Sequence, residues 1–345
     1  MATERELAAM RRALAVAASK DAPLGPNPRV GCVLLSPDGT VVAEGHHRGA
    51  GTDHAEVDAL RQAGVAARGA TAVVTLEPCN HTGRTGPCAA ALIEAGVARV
   101  VFAAADAGER EGGGADRLRA AGIDVEGGVL ADDSRSLNPE FTLARDLGRP
   151  FVTWKFATTL DGRMAAADGT SQWISSDESR ADVHRLRSVV DAVLVGSGTQ
   201  RLDDPSLTVR EKDGSLADRQ PLRVVMGLAE VASDAKVRDG AAEFLHLRTH
   251  DPITALATLA DRGATHVLLE GGPTLAAEFI KAGLVDRVIA YVAPVLLGAG
   301  AQAVADLGIG TIGDALRLEP SDITVIGSDV RITADITHPA PTTKD

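Results

Sequence analysis

The stretch Ala72-Val-Val-Thr-Leu-Glu-Pro-Cys-Asn-His-Thr-Gly-Arg-Thr-Gly-Pro-Cys-Ala-Ala-Ala-Leu-Ile-Glu-Ala-Gly96, followed by Val97-Ala-Arg-Val-Val-Phe-Ala103, decides how the first half of the chain folds. Ala72–Leu76 is a short β-branched run and reads as a strand. Ala89–Ala95 has helical composition and is stopped by Gly96, and Val97–Ala103 is again strand-like. Strand, helix, strand within some thirty residues argues a parallel crossover.

The same alternation extends outward. Arg5–Ala18 sets Leu7, Met10, Leu14 and Ala17 at helical spacing. Val30–Leu35 is a strand closed by the turn Ser36-Pro-Asp-Gly39, with Val41–Ala43 returning as its hairpin partner. Ala55–Ala63 is a helix stopped at Gly64, and Ala115–Ala121 with Val125–Gly127 repeats helix then strand. Asp146-Leu-Gly-Arg-Pro150 is polar and turn-forming, and a new run, Phe151-Val-Thr-Trp-Lys-Phe156, follows it. In the second half, helices are expected over Asp177–Val190, Pro252–Arg262 and Pro273–Ala282. Strands are expected over Ala192–Gly196, Leu222–Met226, His266–Glu270 and Arg287–Val292. The expectation is an α/β chain with largely parallel sheets in two domains, 1–148 and 149–345.

Composition narrows the function. The chain has 345 residues, 47 acidic against 35 basic, for a net charge of −12, and only six Phe, two Trp and one Tyr. An acidic surface repels phosphate backbones and so few rings offer little to stack on bases, so nucleic acid is not the expected partner. No run approaches the ~20 apolar residues of a membrane span. The start, Met1-Ala-Thr-Glu-Arg-Glu6, carries acids and does not read as a secretory signal. Cys32, Cys79 and Cys88 are too few for a disulfide framework and point to a reducing cytoplasm.

His54-Ala-Glu56, Pro78-Cys79 and Pro87-Cys88 carry the chemistry. One imidazole and two thiolates are three ligands for tetrahedral zinc and leave a fourth position for water, the catalytic arrangement. Glu56, two residues past His54, is placed to shuttle a proton without ligating, as in the H-x-E…P-C-x-x-C zinc deaminases. Here eight residues separate the cysteines instead of two. Cys32 lies in an apolar strand without a matching partner and reads as packing.

Together with Gly25-Pro-Asn-Pro-Arg-Val-Gly31, these motifs resemble the deaminase half of the bifunctional riboflavin-biosynthesis deaminase/reductases, which show this long cysteine spacing. The resemblance implies a cytidine-deaminase-like α/β/α layer, with Asn27, His47, His81 and Arg84 contacting a pyrimidinone and its ribose phosphate. The second half carries Thr159-Leu-Asp-Gly-Arg163, Ser171-Gln-Trp-Ile-Ser175, Gly196-Ser-Gly-Thr199, Asp203-Asp-Pro-Ser-Leu-Thr-Val-Arg210 and Leu269-Glu-Gly-Gly-Pro-Thr-Leu-Ala276. These resemble the reductase half of the same family, which is similar in fold to dihydrofolate reductase and uses NADPH. That implies cofactor contacts at Ala157, Trp173, Thr199, Asp203 and Gly271, Gly272, Pro273, Thr274 and Leu275. It implies sugar-phosphate contacts at Ser171, Arg187, Leu207 and Arg210, with Glu270 beside the ribose. Many members carry Asp-Ser or Asp-Thr where this chain has Met226-Gly-Leu228, which leaves a backbone N–H of Gly227 to replace a hydroxyl contact. Asp203, Glu270 and solvent stand as proton donors for the reduction. The apolar Arg287–Leu297 run suits an oligomer interface as well as a core, and a homo-oligomer is expected.

Overall fold

The computed structural model describes residues 1–19, 27–49, 52–80, 86–106 and 112–336. The chain divides into two units, Met1–Asp146 and Leu147–Asp345.

In the first unit, α1 (Glu4–Ala17) opens with a capping box in which Thr3 and Glu6 satisfy each other's backbone N–H. Then follow β1 (Gly31–Leu35), β2 (Val41–His46), α2 (Ala55–Ala63), β3 (Thr71–Leu76), α3 (Cys88–Glu94), β4 (Arg99–Ala104), α4 (Gly114–Ala120), β5 (Asp124–Glu126), α5 (Ala131–Leu137) and α6 (Pro139–Leu147). The sheet order is β2-β1-β3-β4-β5. The first two pairings, β1–β2 and β1–β3, are antiparallel, and the β3–β4 and β4–β5 pairings are parallel. Period-two alternation sends the two sides of each strand into different cores. Cys32, Leu34, Ala72, Val74 and Val100 pack on one face with Ala55, Ala59, Ala89, Leu92 and Leu118 from α2, α3 and α4. Val33, Leu35, Val73, Val101 and Ala103 pack on the other with Ala9, Met10 and Ala13 of α1. The result is an α/β/α sandwich whose inner strands β1, β3 and β4 are largely apolar because neither of their faces meets water, while the edge strands β2 and β5 carry polar, partly exposed residues.

Gly45 brings the site-bearing helix close. A Cβ there would lie 2.2 Å from Ala55 O and 2.5 Å from Ala59 N, so only glycine lets α2 seat against β2. Helices α5 and α6 were not expected from sequence; Asp146 and Leu147, read as turn-forming, lie at the end of α6.

The second unit contains β6 (Phe151–Thr159), α7 (Asp177–Ser188), β7 (Ala192–Gly196), α8 (Ser197–Asp203), β8 (Leu222–Met226), β9 (Phe244–Leu247), α9 (Pro252–Asp261), β10 (His266–Leu269), α10 (Pro273–Lys281), β11 (Arg287–Ala293), β12 (Glu319–Ile326) and β13 (Asp329–Asp335). Its sheet runs β12-β13-β11-β6-β10-β7-β8-β9, parallel from β11 to β9 and antiparallel across β11–β13–β12. Val152, Trp154, Leu194, Val224 and Leu269 face α9 and α10, and Val193, Val195, Val225, Leu268 and Tyr291 face α7. Among the described residues, no helix is long and apolar enough to cross a membrane.

Candidate active sites

His54 is the N-cap residue of α2, in extended conformation, and its side chain makes no cap hydrogen bond. The imidazole is therefore free to turn toward Cys88, the first residue of α3, and Cys79, just past β3. His54 Nδ1 lies 3.1 Å from Cys88 Sγ and 3.6 Å from Cys79 Sγ, and all three donor atoms fall within 4.8 Å of one another. Tetrahedral zinc with ~2.0–2.1 Å nitrogen and ~2.3 Å sulfur bonds sets those ligands roughly 3.6 Å apart. The spacing fits the ion.

The protonation chemistry of the cluster agrees. Hydrogen bonds from Cys88, reinforced by His54 and by the Cys88 backbone N–H at 3.4 Å, pull the Cys79 thiol down to about 4. The neighbouring Cys79 sulfur, together with burial, pushes the Cys88 thiol up. One thiolate is stable here and a second needs a cation beside it, which is the demand a zinc ion meets.

Glu56 is buried, and desolvation raises its carboxyl to about 7. Asp58, two residues on and also buried, is different. Its oxygens accept from Arg61 Nη2 at 2.7 Å, Arg48 Nη1 at 3.1 Å, Gln62 Nε2 at 3.2 Å and His46 N–H at 3.3 Å. Burial alone would raise Asp58, but these donors outweigh it and hold it below the carboxylate range. Among the described residues Glu56 forms no such salt bridge, and it faces the Cys88 sulfur. A buried acid near neutrality beside the cluster is equipped to take up and release a proton.

Asn27 and His47 join this site. His47 Nδ1 donates to Asp53 O at 3.1 Å, so its Nε2 accepts from Asn27 Nδ2 at 2.9 Å, and its ring stands edge-on to His54 at 5.4 Å. Burial lowers the His47 pKa and keeps the ring neutral. Asn138, between α5 and α6, clamps the segment after Asn27: it accepts from Arg29 N–H at 2.7 Å and donates to Arg29 O at 2.9 Å, as a neighbouring strand would. Sequence reading missed Asn138, since a lone Asn 109 residues away carries no local signal. His81 and Arg84 lie outside the described residues.

In the second unit, Arg187 and Glu270 form a part-buried two-pronged pair, Nε to Oε1 at 2.6 Å and Nη2 to Oε2 at 2.9 Å, and Arg187 Nη1 also donates to Thr208 O. Burial would raise Glu270, yet Arg187 brings it below its ordinary value and keeps it ionised. Lys155 on β6 completes the group. Burial lowers its ammonium, with Glu270 and Arg187 as its charged neighbours, and Tyr291 lies 5.8 Å beneath it. Lys155 was missed in the sequence, although a single lysine between Trp154 and Phe156 in an apolar run was the available signal.

Thr199 Oγ1 accepts from Gly272 N–H at 3.1 Å, joining the start of α8 to the turn before α10, so two of the expected cofactor segments meet. Trp173 is 69% exposed with Arg180 over its ring, so it is not core. Ala157 lies on β6, Ser171 is half-buried before α7, and Asp203 ends α8 in solvent. Leu207 is buried with a left-handed φ of 54°, and the exposed Arg210 donates to Gly214 O. Gly227 N–H is bonded to Leu247 O at 3.0 Å, so it does not replace the missing hydroxyl contact.

An imidazole–dithiolate cluster with a buried, near-neutral glutamate on an α/β/α layer defines a zinc-dependent deaminase, here carried on one chain with a second α/β unit. Residues 3–104 match the cytidine and deoxycytidylate deaminase zinc-binding region, and residues 150–332 match the RibD C-terminal domain. The chain is 52% identical to the riboflavin biosynthesis protein RibD of Mycobacterium tuberculosis, covering 88% of this chain and 90% of that protein. It is 40% identical to RibD of Escherichia coli, covering 93% and 96%. The structure of Acinetobacter baumannii RibD superposes with a TM-score of 0.82 at 37% identity, covering 97% of this chain and 99% of that one. A Thermotoga maritima diaminohydroxyphosphoribosylaminopyrimidine deaminase/5-amino-6-(5-phosphoribosylamino)uracil reductase gives 0.77 at 31% identity, covering 96% and 99%. The chain belongs to the bifunctional deaminase/reductases of riboflavin biosynthesis, enzymes that bind zinc and use NADPH.

Proposed function

We propose that His54, Cys79 and Cys88 hold the zinc ion, that Glu56 moves the protons of the deamination, and that Lys155, Arg187 and Glu270 form the polar centre of the reductase. The substrates are 2,5-diamino-6-ribosylamino-4(3H)-pyrimidinone 5′-phosphate and then 5-amino-6-(5-phosphoribosylamino)uracil. Zinc supplies electrophilic activation of water at neutral pH, and NADPH supplies hydride. Glu56 takes a proton from the attacking water and returns it to the departing amine, so ammonia leaves as the ring carbon gains oxygen. Asn27 and the neutral His47 orient the pyrimidine against that carbon. In the reductase, the ribosylamine opens to an imine, C1′ receives the hydride and nitrogen receives a proton. Burial, helped by the like charge of Arg187, makes the Lys155 ammonium readier to give up that proton, while the Glu270 carboxylate attracts it. Arg210, exposed near the same loop, serves the sugar phosphate.

The observation that carries this reading is the His54–Cys79–Cys88 cluster with Glu56 buried beside it. Metal analysis with parallel assays tests it. One zinc per chain is expected, with ammonia release lost on chelation. Oxidation of NADPH with the deaminated intermediate should survive the chelator. Zinc binding that persists when both cysteines are replaced by serine would refute it.

We infer further that the enzyme works in the cytoplasm, where thiols of this kind stay reduced, and as a homo-oligomer. The edge strand β12 supports the second point: Ile323 and Val325, on one face of it, are 65% and 73% exposed. Light scattering on the wild type and on Ile323→Lys is the test, with a monomeric wild type as the refuting result.

A further inference from the structure

We propose that Glu77, acting through the start of α4, is a positioning residue for the zinc site: it fixes the segment that presents Cys79. This rests on Cys79 being a zinc ligand, as argued above. The match to the zinc-binding region ends at residue 104, so α4 lies outside it.

Residues on both sides of Cys79, and its own carbonyl, are anchored. Glu77 N–H donates to Ala104 O at 2.9 Å, extending the β3–β4 pairing by one residue. Its carboxylate then bridges two backbone donors, Oε2 to Asp106 N–H at 3.2 Å and Oε1 to Ala115 N–H at 3.0 Å. It thus ties the exit of β4 and the first turn of α4 to the residue two before the ligand. Pro78 is gripped sterically: a Cβ on Gly114 would lie 1.7 Å from Pro78 O, so α4 reaches this segment only because that residue is glycine. Asn80, on the other side of Cys79, accepts from Arg117 Nη1 of α4 at 2.9 Å. From the opposite direction Cys79 O accepts from Ala89 N–H of α3. Cys79 is therefore held between two helices, and of these only α3 carries a ligand.

This arrangement has a chemical reason. A sulfur ligand has no second atom through which a neighbour can orient it, unlike a histidine with its far nitrogen. Its position is set by its backbone, and backbone is held by hydrogen bonds and contact. Glu77 suits the task because both its oxygens accept; glutamine would turn a donor toward one of the two N–H groups.

The test uses the purified full-length chain, with zinc affinity measured by competition against a chromophoric chelator. Cobalt substitution then reads the thiolate-to-metal absorption. Glu77→Gln is expected to lower zinc affinity by about 10–100-fold, the usual effect of losing a supporting partner, and to weaken the cobalt–thiolate band. Gly114→Ala, which displaces α4 without touching the carboxylate, should act in the same direction. The oxidation of NADPH with the deaminated intermediate should be unchanged in both. A loss of affinity smaller than about 10-fold in Glu77→Gln, with the band intact, overturns the inference. Should that variant fail to fold, Gly114→Ala decides by the same threshold. A wild-type chain lacking the thiolate band would instead remove Cys79 as a ligand, and this inference with it.

Discussion

Glu56 and Asp58 sit two apart on one helix, both buried, yet they are chemically unlike. Asp58 is neutralised by Arg48 and Arg61, while Glu56 faces sulfur and, among the described residues, no guanidinium. Replacing Glu56 by Gln should lower ammonia release by roughly 10²–10⁴-fold, the usual worth of a positioned acid–base group, and leave zinc content unchanged. A coupled ammonia assay beside metal analysis checks both. In the second unit, Glu270→Gln strands the Arg187 cation, whose side chain is only 14% exposed. Losing one partner of such a pair costs about 3–5 kcal/mol, so calorimetry should show a marked fall in the melting temperature of that unit, along with loss of NADPH oxidation. Sequence motifs had already singled out His54, Glu56, Cys79 and Cys88, and the family resemblance implied Arg187 and Glu270. They did not say that Arg187 and Glu270 hold each other, because 83 residues lie between them and only the fold closes that distance.

At the level of elements, the strands and the helices that cover them were legible where burial is two-sided. Runs such as Val30–Leu35 and Ala192–Gly196 are apolar along their whole length, and turn residues bound them. Helices α5 and α6 and the β12–β13 hairpin were not legible. Sequences such as Ala-Asp-Asp-Ser-Arg-Ser-Leu137 and Glu-Pro-Ser-Asp-Ile-Thr-Val-Ile326 are polar, and what orders them is docking against neighbours. The α5–α6 junction nevertheless matters to the site. Asn138 imitates a strand by bonding both backbone groups of Arg29, two residues from Asn27. Asn138→Ala should raise KM for the pyrimidine by about 10²-fold, as a displacement of roughly 1 Å does, with zinc retained. Asn138→Asp keeps the acceptor and loses the donor, so steady-state kinetics should place it between wild type and Ala.

For the molecule as a whole, acid stability follows from paired, buried carboxylates. Burial would raise Glu6, but Arg99 and Thr3 outweigh it and set it below its ordinary 4.5; Asp58 lies below 3.8 for the same kind of reason. A depressed carboxylate contributes stability that is fully present above its unfolded value and is lost as pH falls through its folded one. The stability that these two carboxylates contribute should therefore hold level above about pH 5 and be lost below about pH 4. Glu6→Gln should flatten part of that acid limb, as scanning calorimetry at stepped pH would show.

Ligand identity was written locally, because zinc demands soft and borderline donors and the chain offers them in two short motifs. So was the α/β alternation, since hydrophobic period and turn chemistry act over a few residues. Which acid faces sulfur rather than arginine among the described residues, which lysine is desolvated and which distant side chain clamps a loop were decided by the folded molecule. Desolvation and pairing depend on neighbours in space, and Arg48, Lys155, Asn138 and Gly114 become neighbours of their sites only when the sheets close.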